Sequence, residues 1–102
     1  MGYEYKLEVK PGVLDLGAIC DSVVASTAWL RIPTSFSDGD GIGIGDSTIA
    51  PNSPWPHIAD LRLEAPTEIY VLCHNQTGGL FMRALVQALR DKGHAVVIDD
   101  DV

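Results

Sequence analysis

The stretch "EIYVLCHNQTGGLFMRALVQALRDKGHAVVID", Glu68 to Asp99, decides the fold. It opens with an almost wholly apolar run, which is typical of a strand covered on both faces. After "NQTGG", apolar residues recur at helical spacing, and Gly93 supplies a left-handed residue where the helix should end. The run "AVVID" then predicts a short buried strand. A strand, a helix and a strand within about thirty residues predict two parallel strands joined by a right-handed crossover.

The first part of the chain has a similar pattern. Residues Tyr3 to Val9 alternate between apolar and charged side chains, which predicts a strand with one wet face. Pro11-Gly12 ends it, and from Asp15 onward apolar residues fall on one helical stripe that Asp15 itself can cap. The alternative is that Lys10-Pro11-Gly12 turns a hairpin and "VLDL" returns as a strand. We prefer the helix.

Three more strands are predicted between these two units: Thr27 to Ile32, "GIGIG", and Ile58 to Ala65. The predicted order is β-α-β-(hairpin or loop)-β-β-α-β within one domain, residues 1–102. This order favours an α+β, two-layer sandwich with two helices on one face of a mixed sheet. The best single prediction is a ferredoxin-like plait with an added central hairpin.

The charge balance excludes two classes of partner. The formal net charge is −7, and the seven Lys and Arg residues are scattered along the chain. Nucleic acid and anionic membrane surfaces repel that charge, so we expect neither as a partner. The chain has no apolar run of transmembrane length and no signal-peptide core, which predicts a cytoplasmic protein.

The most unusual local sequence is "DGDGIGIGDST", Asp38 to Thr48. It fails as a calcium loop of the EF type, because Ile42 and Ile49 occupy positions that need oxygen ligands. It also fails as a phosphate loop, because it lacks the lysine and the glycine spacing. We interpret "GIGIG" as a strand between turn dipeptides, with bare backbone amides that a partner's strand can reach.

These features predict a non-enzymatic, acidic, partner-binding protein. A basic partner fits the charge, as for small inhibitors and immunity-type proteins that present carboxylates and an aromatic anchor. Self-association through an edge strand is the other interaction that we expect. The predicted partner-binding residues are Asp38, Asp40, Gly41, Gly43, Gly45, Asp46 and Trp55.

The rival hypothesis is a small enzyme or anion-binding domain that uses the segment from Cys73 to Gly79. A thiol between a buried strand and a helix start can be activated, and such helix starts bind anions. The predicted ligand-binding residues would be Cys73, His74, Thr77, Gly78 and Gly79. By alternation, however, Cys73 and His74 face opposite sides of the sheet, and both cysteines lie in apolar runs typical of buried free thiols. The three histidines share no ligand spacing, so no metal or cofactor is predicted.

Overall fold

The computed structural model describes residues 3–13, 15–25, 27–37, 39, 41–46 and 57–99. Within them the chain forms six strands and two helices. In chain order these are β1 (Tyr3–Lys10), α1 (Leu16–Val24), β2 (Trp29–Ile32), β3 (Ile42–Asp46), β4 (His57–Ala65), β5 (Glu68–Cys73), α2 (Gln76–Asp91) and β6 (Ala95–Asp99). Neither of these helices is long and apolar enough to cross a membrane.

All six strands belong to one sheet, in the order β2-β3-β4-β5-β1-β6, and every neighbouring pair is antiparallel. β5 and β6 both run antiparallel to β1, so they are parallel to each other, as predicted, with β1 between them. The α+β class is therefore confirmed, although the expected mixed sheet is antiparallel at every pair of neighbours. The finer assignment to a ferredoxin-like plait with an added hairpin stays a prediction.

The helices contact each other and the sheet, and one hydrophobic core lies between the two layers. We call this side of the sheet the helix face and the other side the open face. Alternation along β1 defines the two, because Leu7 and Val9 are buried on the helix face whereas Glu4 and Glu8 are exposed on the open face. The largest fully buried side chain is Phe81 of α2, which Trp29 meets edge-on at 5.7 Å between ring centroids.

Both helices begin at side-chain caps. Asp15 Oδ1 accepts a hydrogen bond from Ala18 N at 3.0 Å, which confirms the predicted cap and the helical interpretation of this segment. Asn75 does the same for α2, accepting from Gly78 N at 2.9 Å. The predicted loop "NQTGG" is therefore a cap and the first helical turn. The predicted end is confirmed, since Gly93 has φ +95°.

Candidate functional site

Three of the predicted partner-binding residues, Asp38, Asp40 and Trp55, lie outside the described residues. The other four lie in β3 or directly before it. Gly41 directly precedes the strand, Gly43 and Gly45 are buried within it, and half-buried Asp46 ends it. The predicted strand is thus confirmed, while its role as a partner-binding surface stays a prediction.

The expectation that the amides of β3 are open to a partner is wrong. β3 lies between β2 and β4 and pairs with both, so both of its edges form ladder hydrogen bonds within the chain. The close backbone approach that strand glycines indicate is present, but it is intramolecular. A Cβ added to Gly43 would lie 2.5 Å from the carbonyl oxygen of Pro33. The glycine therefore makes room for the chain that leaves β2.

That chain, residues 33–37, crosses the open face and is held there by Asp60 of β4. The buried Asp60 carboxylate accepts hydrogen bonds from Thr34 Oγ1 at 2.9 Å, Ser35 N at 2.7 Å and Ser35 Oγ at 2.6 Å. Burial raises the pKa of Asp60, but the hydrogen bonds from Ser35, His74 and Thr34 outweigh it, so the pKa lies below its ordinary value. Asp60 is consequently a buried anion.

Two histidines complete this polar cluster. His74 Nε2 lies 2.7 Å from Asp60 Oδ2, and because an ionised carboxylate only accepts, the contact places a proton on Nε2. His57 Nε2 lies 2.8 Å from the Pro33 carbonyl, and its ring centre is 6.2 Å from that of His74. His57 therefore contacts the segment directly, and His74 contacts the carboxylate that holds it. The described residues include no group of three His, Cys, Asp or Glu side chains that could hold a metal ion.

The cysteines of the rival hypothesis are in the core. Cys73 ends β5 on the helix face, whereas His74 binds Asp60 on the open face, so the two side chains point apart as alternation predicts. Burial raises the pKa of Cys73 to about 11. Burial likewise raises the pKa of Cys20 to about 12, with smaller effects of Arg31 and Asp21. Both thiols are therefore protonated near neutral pH and poorly nucleophilic.

The remaining residues of that hypothesis lie in the first turn of α2. Gly78 packs directly on β4, because an added Cβ would lie 2.0 Å from the carbonyl oxygen of Ile58. Gly79 has open space beside it and lines a cavity of about 470 Å³, together with Tyr5, Gln76, Leu80, Met82 and Arg83. Of the five predicted ligand-binding residues, only Gly79 borders this cavity.

Aromatic and charged side chains cover the middle of the open face. Phe36, carried by the segment that Asp60 holds, lies 5.9 Å from Tyr70 between ring centroids. The guanidinium of Arg62 stands 5.2 Å from the Phe36 ring centre and 5.7 Å from that of Tyr70. Tyr70 donates to Glu4 Oε1 at 2.5 Å; burial first, and then Glu4, raise the pKa of Tyr70 to about 12.

Beside this aromatic group the open face carries charges of both signs, because Glu4 and Glu8 alternate with Lys6 and Lys10 along β1. Glu8 of β1 lies directly opposite Glu68 of β5 in the strand register, so two carboxylates share adjacent positions on the same face. Glu64, the last residue but one of β4, is exposed, and Arg62 contacts its carboxylate at 3.4 Å. Like charges directly opposite each other in a sheet are destabilising. Lys6 and Lys10, two residues before and after Glu8 on the same face, offset part of this repulsion.

Sequence reasoning missed Asp60 and the Glu8–Glu68 pair. The available signal for Asp60 was its place within "IADLRLEA", where one break in the alternation was expected. That break is real, since the pairing of β3 with β4 skips Ile58. The pairing of Glu8 with Glu68 depends on residues sixty positions apart, and no local pattern predicts it.

Comparison with known proteins identifies no relative: no family model, no curated protein sequence and no solved structure matches the chain.

Proposed function

We propose that this chain is a non-enzymatic protein that binds a basic protein partner, as inhibitors and immunity-type proteins do. The observation that carries the proposal is the direct opposition of Glu8 and Glu68 on the open face. A cationic side chain that docks between the two carboxylates removes their repulsion and gains two ion pairs. The cost in the free chain therefore becomes binding free energy in the complex.

The surroundings of this pair suit such a partner. Glu4, which accepts a hydrogen bond from Tyr70, is exposed on the same face, and the aromatic surface of Phe36 and Tyr70 lies beside it. Lys6 and Lys10 also lie on this face, so the partner's cationic group must dock between the two carboxylates themselves. Residues 33–37, which follow β2, cross this face through their contacts with Asp60. Asp38 and Asp40 follow this segment in the sequence, and their contribution to partner binding is proposed from sequence alone.

The first test concerns the free chain. Replacing Glu68→Gln should raise the free energy of unfolding by about 0.2–1 kcal/mol, because it removes one of two opposed charges. Denaturant unfolding of Glu8→Gln, Glu68→Gln and the double variant forms a cycle that isolates their interaction. A coupling of zero, or a Glu68→Gln chain less stable than the wild type, contradicts the proposed repulsion.

The second test measures binding with an oligolysine peptide as the probe. The Glu8→Gln/Glu68→Gln variant should bind more weakly, by about 0.2–1 kcal/mol for each ion pair lost. The control is Asp21→Asn/Asp91→Asn, which removes the same charge from residues on the helices. Equal weakening by both variants would show that only net charge matters. Charge reversal at Asp38, Asp40 and Asp46 then tests the predicted acidic segment, which should weaken binding further.

Binding of a small anion is the second candidate function, favoured by the cavity beside the first turns of α2. Its cationic group is the exposed Arg83, and Gln76 and Tyr5 add polar atoms to the lining. Titration with inorganic phosphate, followed by backbone amide chemical shifts, should perturb Gly79 in the wild type and not in Arg83→Gln. Lys92→Gln is the matched control, and an equal response of both variants contradicts this candidate.

A further inference from the structure

The two edges of the sheet differ in how far they are protected from pairing with another strand. β2, at one edge, is four residues long, is followed by Pro33, and has Arg31 bonded to Asp21 at 3.1 Å. β6, at the other edge, contains neither proline nor a basic residue. Its side chains Val97 and Ile98 are 59% and 43% exposed. An edge strand with exposed apolar side chains and no proline is a template for pairing with another chain.

The backbone groups that β6 directs outward follow from the ladder. Val9 N donates to Thr67 O at 2.9 Å, so the peptide groups of Val9 point toward β5. Val96 lies opposite Val9, and its own N–H and C=O therefore point away from β1, toward the outside of the sheet. Ile98, two residues on, points the same way. Arg90 confirms the direction, since its Nη2 donates to Val96 O at 3.1 Å.

We propose that β6 pairs antiparallel with β6 of a second copy of this chain, with Val97 opposite Val97 on the two-fold axis. This register pairs all five residues of each strand, Ala95 to Asp99. It places the outward groups of Val96 opposite those of Ile98 in the second copy, so each can donate and accept. The sheet then continues across both chains. The occupant of the edge is another copy of the same protein, and the proposal is independent of the basic partner.

Side chains on both faces complement each other in this register. On the helix face, exposed Ile98 lies next to Val96 of the second copy, which extends the apolar core. On the open face, Ala95 lies opposite Asp99 of the second copy. Lys10 is the neighbour of Ala95 on β1, and its long side chain can reach across this small residue to the carboxylate. The side chains that face each other across the interface are therefore either apolar or of opposite charge. The exception is Glu8, which lies on β1 beside the central Val97 pair.

Arg90 lies at the same edge and adds to the charge complementarity. It holds the carbonyl of Val96, which has a second lone pair for the amide of Ile98 in the second copy. Its guanidinium then lies beside the acidic end of the neighbouring β6, where Asp99 is followed in the sequence by two further aspartates. Lys10 and Arg90, which border the Ala95 end of β6, thus meet the acidic end of the neighbouring β6, which selects the antiparallel arrangement.

Engineered cysteines test the register. Val97 and its counterpart form a non-hydrogen-bonded pair, with Cα atoms about 4.5 Å apart, within the range that a disulfide spans. Ile98 lies diagonal to its counterpart, about 7–8 Å away, which is too far. Mild oxidation should therefore convert Val97→Cys into a covalent dimer while Ile98→Cys stays largely monomeric. The native Cys20 and Cys73 are buried and do not interfere.

Sedimentation of the wild-type chain tests the association without any substitution. At about 0.15 M ionic strength, where the Debye length of about 8 Å screens the net charge, the mass should rise with concentration. It should approach double the 11.0 kDa of one chain. A chain that stays monomeric at every concentration overturns the proposal. So does a dimer in which Ile98→Cys crosslinks as fast as Val97→Cys, because that result would assign the contact to another register or surface.

Discussion

At the scale of single residues, Asp60 contributes most to the arrangement of the open face. It is the one fully buried charged side chain among the described residues, and Thr34, Ser35 and His74 all donate to it. Asp60→Ala leaves these donors unpaired, and we expect a loss of about 3 kcal/mol or more of unfolding free energy. Denaturant unfolding measures it. Asp21→Ala, which breaks an exposed ion pair, should cost at most about 1 kcal/mol, and equal costs would contradict the role of Asp60.

The lowered pKa of Asp60 gives this stabilisation a defined pH dependence. Above about pH 4–5 the carboxylate is ionised in both the folded and the unfolded chain, so its contribution is fully present. As the pH falls through the lower folded pKa, protonation removes the contribution. The difference in unfolding free energy between the wild type and Asp60→Asn should therefore shrink as the pH falls below about 4. A difference that grows on acidification would show that the folded pKa is raised instead.

Residue-scale features are the part of the site that sequence could predict least. The caps Asp15 and Gly93 were predictable, because each acts on atoms within a few residues of its own position. Asp60 acts on Thr34 and Ser35, which lie about 25 positions earlier in the chain. A carboxylate in an alternating strand is ordinarily a solvated one, and only the tertiary fold shows that this one is buried.

At the scale of elements, the contact between α2 and β4 depends on a single glycine. A Cβ at Gly78 would lie 2.0 Å from the Ile58 carbonyl oxygen, so Gly78→Ala must displace the helix from the strand. We expect a loss of about 1–3 kcal/mol, as for other overpacked contacts. Gly79→Ala is the matched control, because nothing lies within 4 Å of its added Cβ. Alanine is the better helix former, so this variant should be stabilised by about 0.5–1 kcal/mol.

Thermal or denaturant unfolding of the two alanine variants decides between two interpretations of the glycine pair. If α2 began after "NQTGG", as the sequence predicted, both glycines would lie in a loop and both substitutions would have similar, small effects. Opposite signs require a helix that already includes Gly78 and Gly79. Sequence placed the boundary too late because glycine is a poor helix former, whereas the Asn75 cap and the close contact with Ile58 favour it here.

At the scale of the whole molecule, local periodicity predicted the elements and their faces but not the strand order. The apolar alternation of β1 and the helical stripe of α2 each depend on neighbours in sequence, and both are present. The insertion of β1 between β5 and β6 pairs the first strand with the last, and no local pattern encodes it. The glycines of β3 show the same difference between what sequence predicts and what only the fold reveals. Their sequence indicated that another backbone segment lies close to the strand, and the fold shows that this segment is the one at Pro33.

The two thiols report on the integrity of this whole assembly. Cys20 lies on α1 and Cys73 on β5, yet both face the single core, and they are 0% and 1% exposed. Their raised pKa values, about 12 and about 11, leave almost no thiolate near neutral pH, so alkylation requires the core to open.

If the helices and the sheet unfold as one unit, iodoacetamide should modify both cysteines at the same rate, and that rate should rise with denaturant in parallel with global unfolding. Mass spectrometry of the modified peptides measures the two rates separately. Faster labelling of Cys20 would mean that α1 opens independently of the sheet, and labelling of Cys73 in the native chain near pH 6 would restore the thiolate chemistry that its burial opposes.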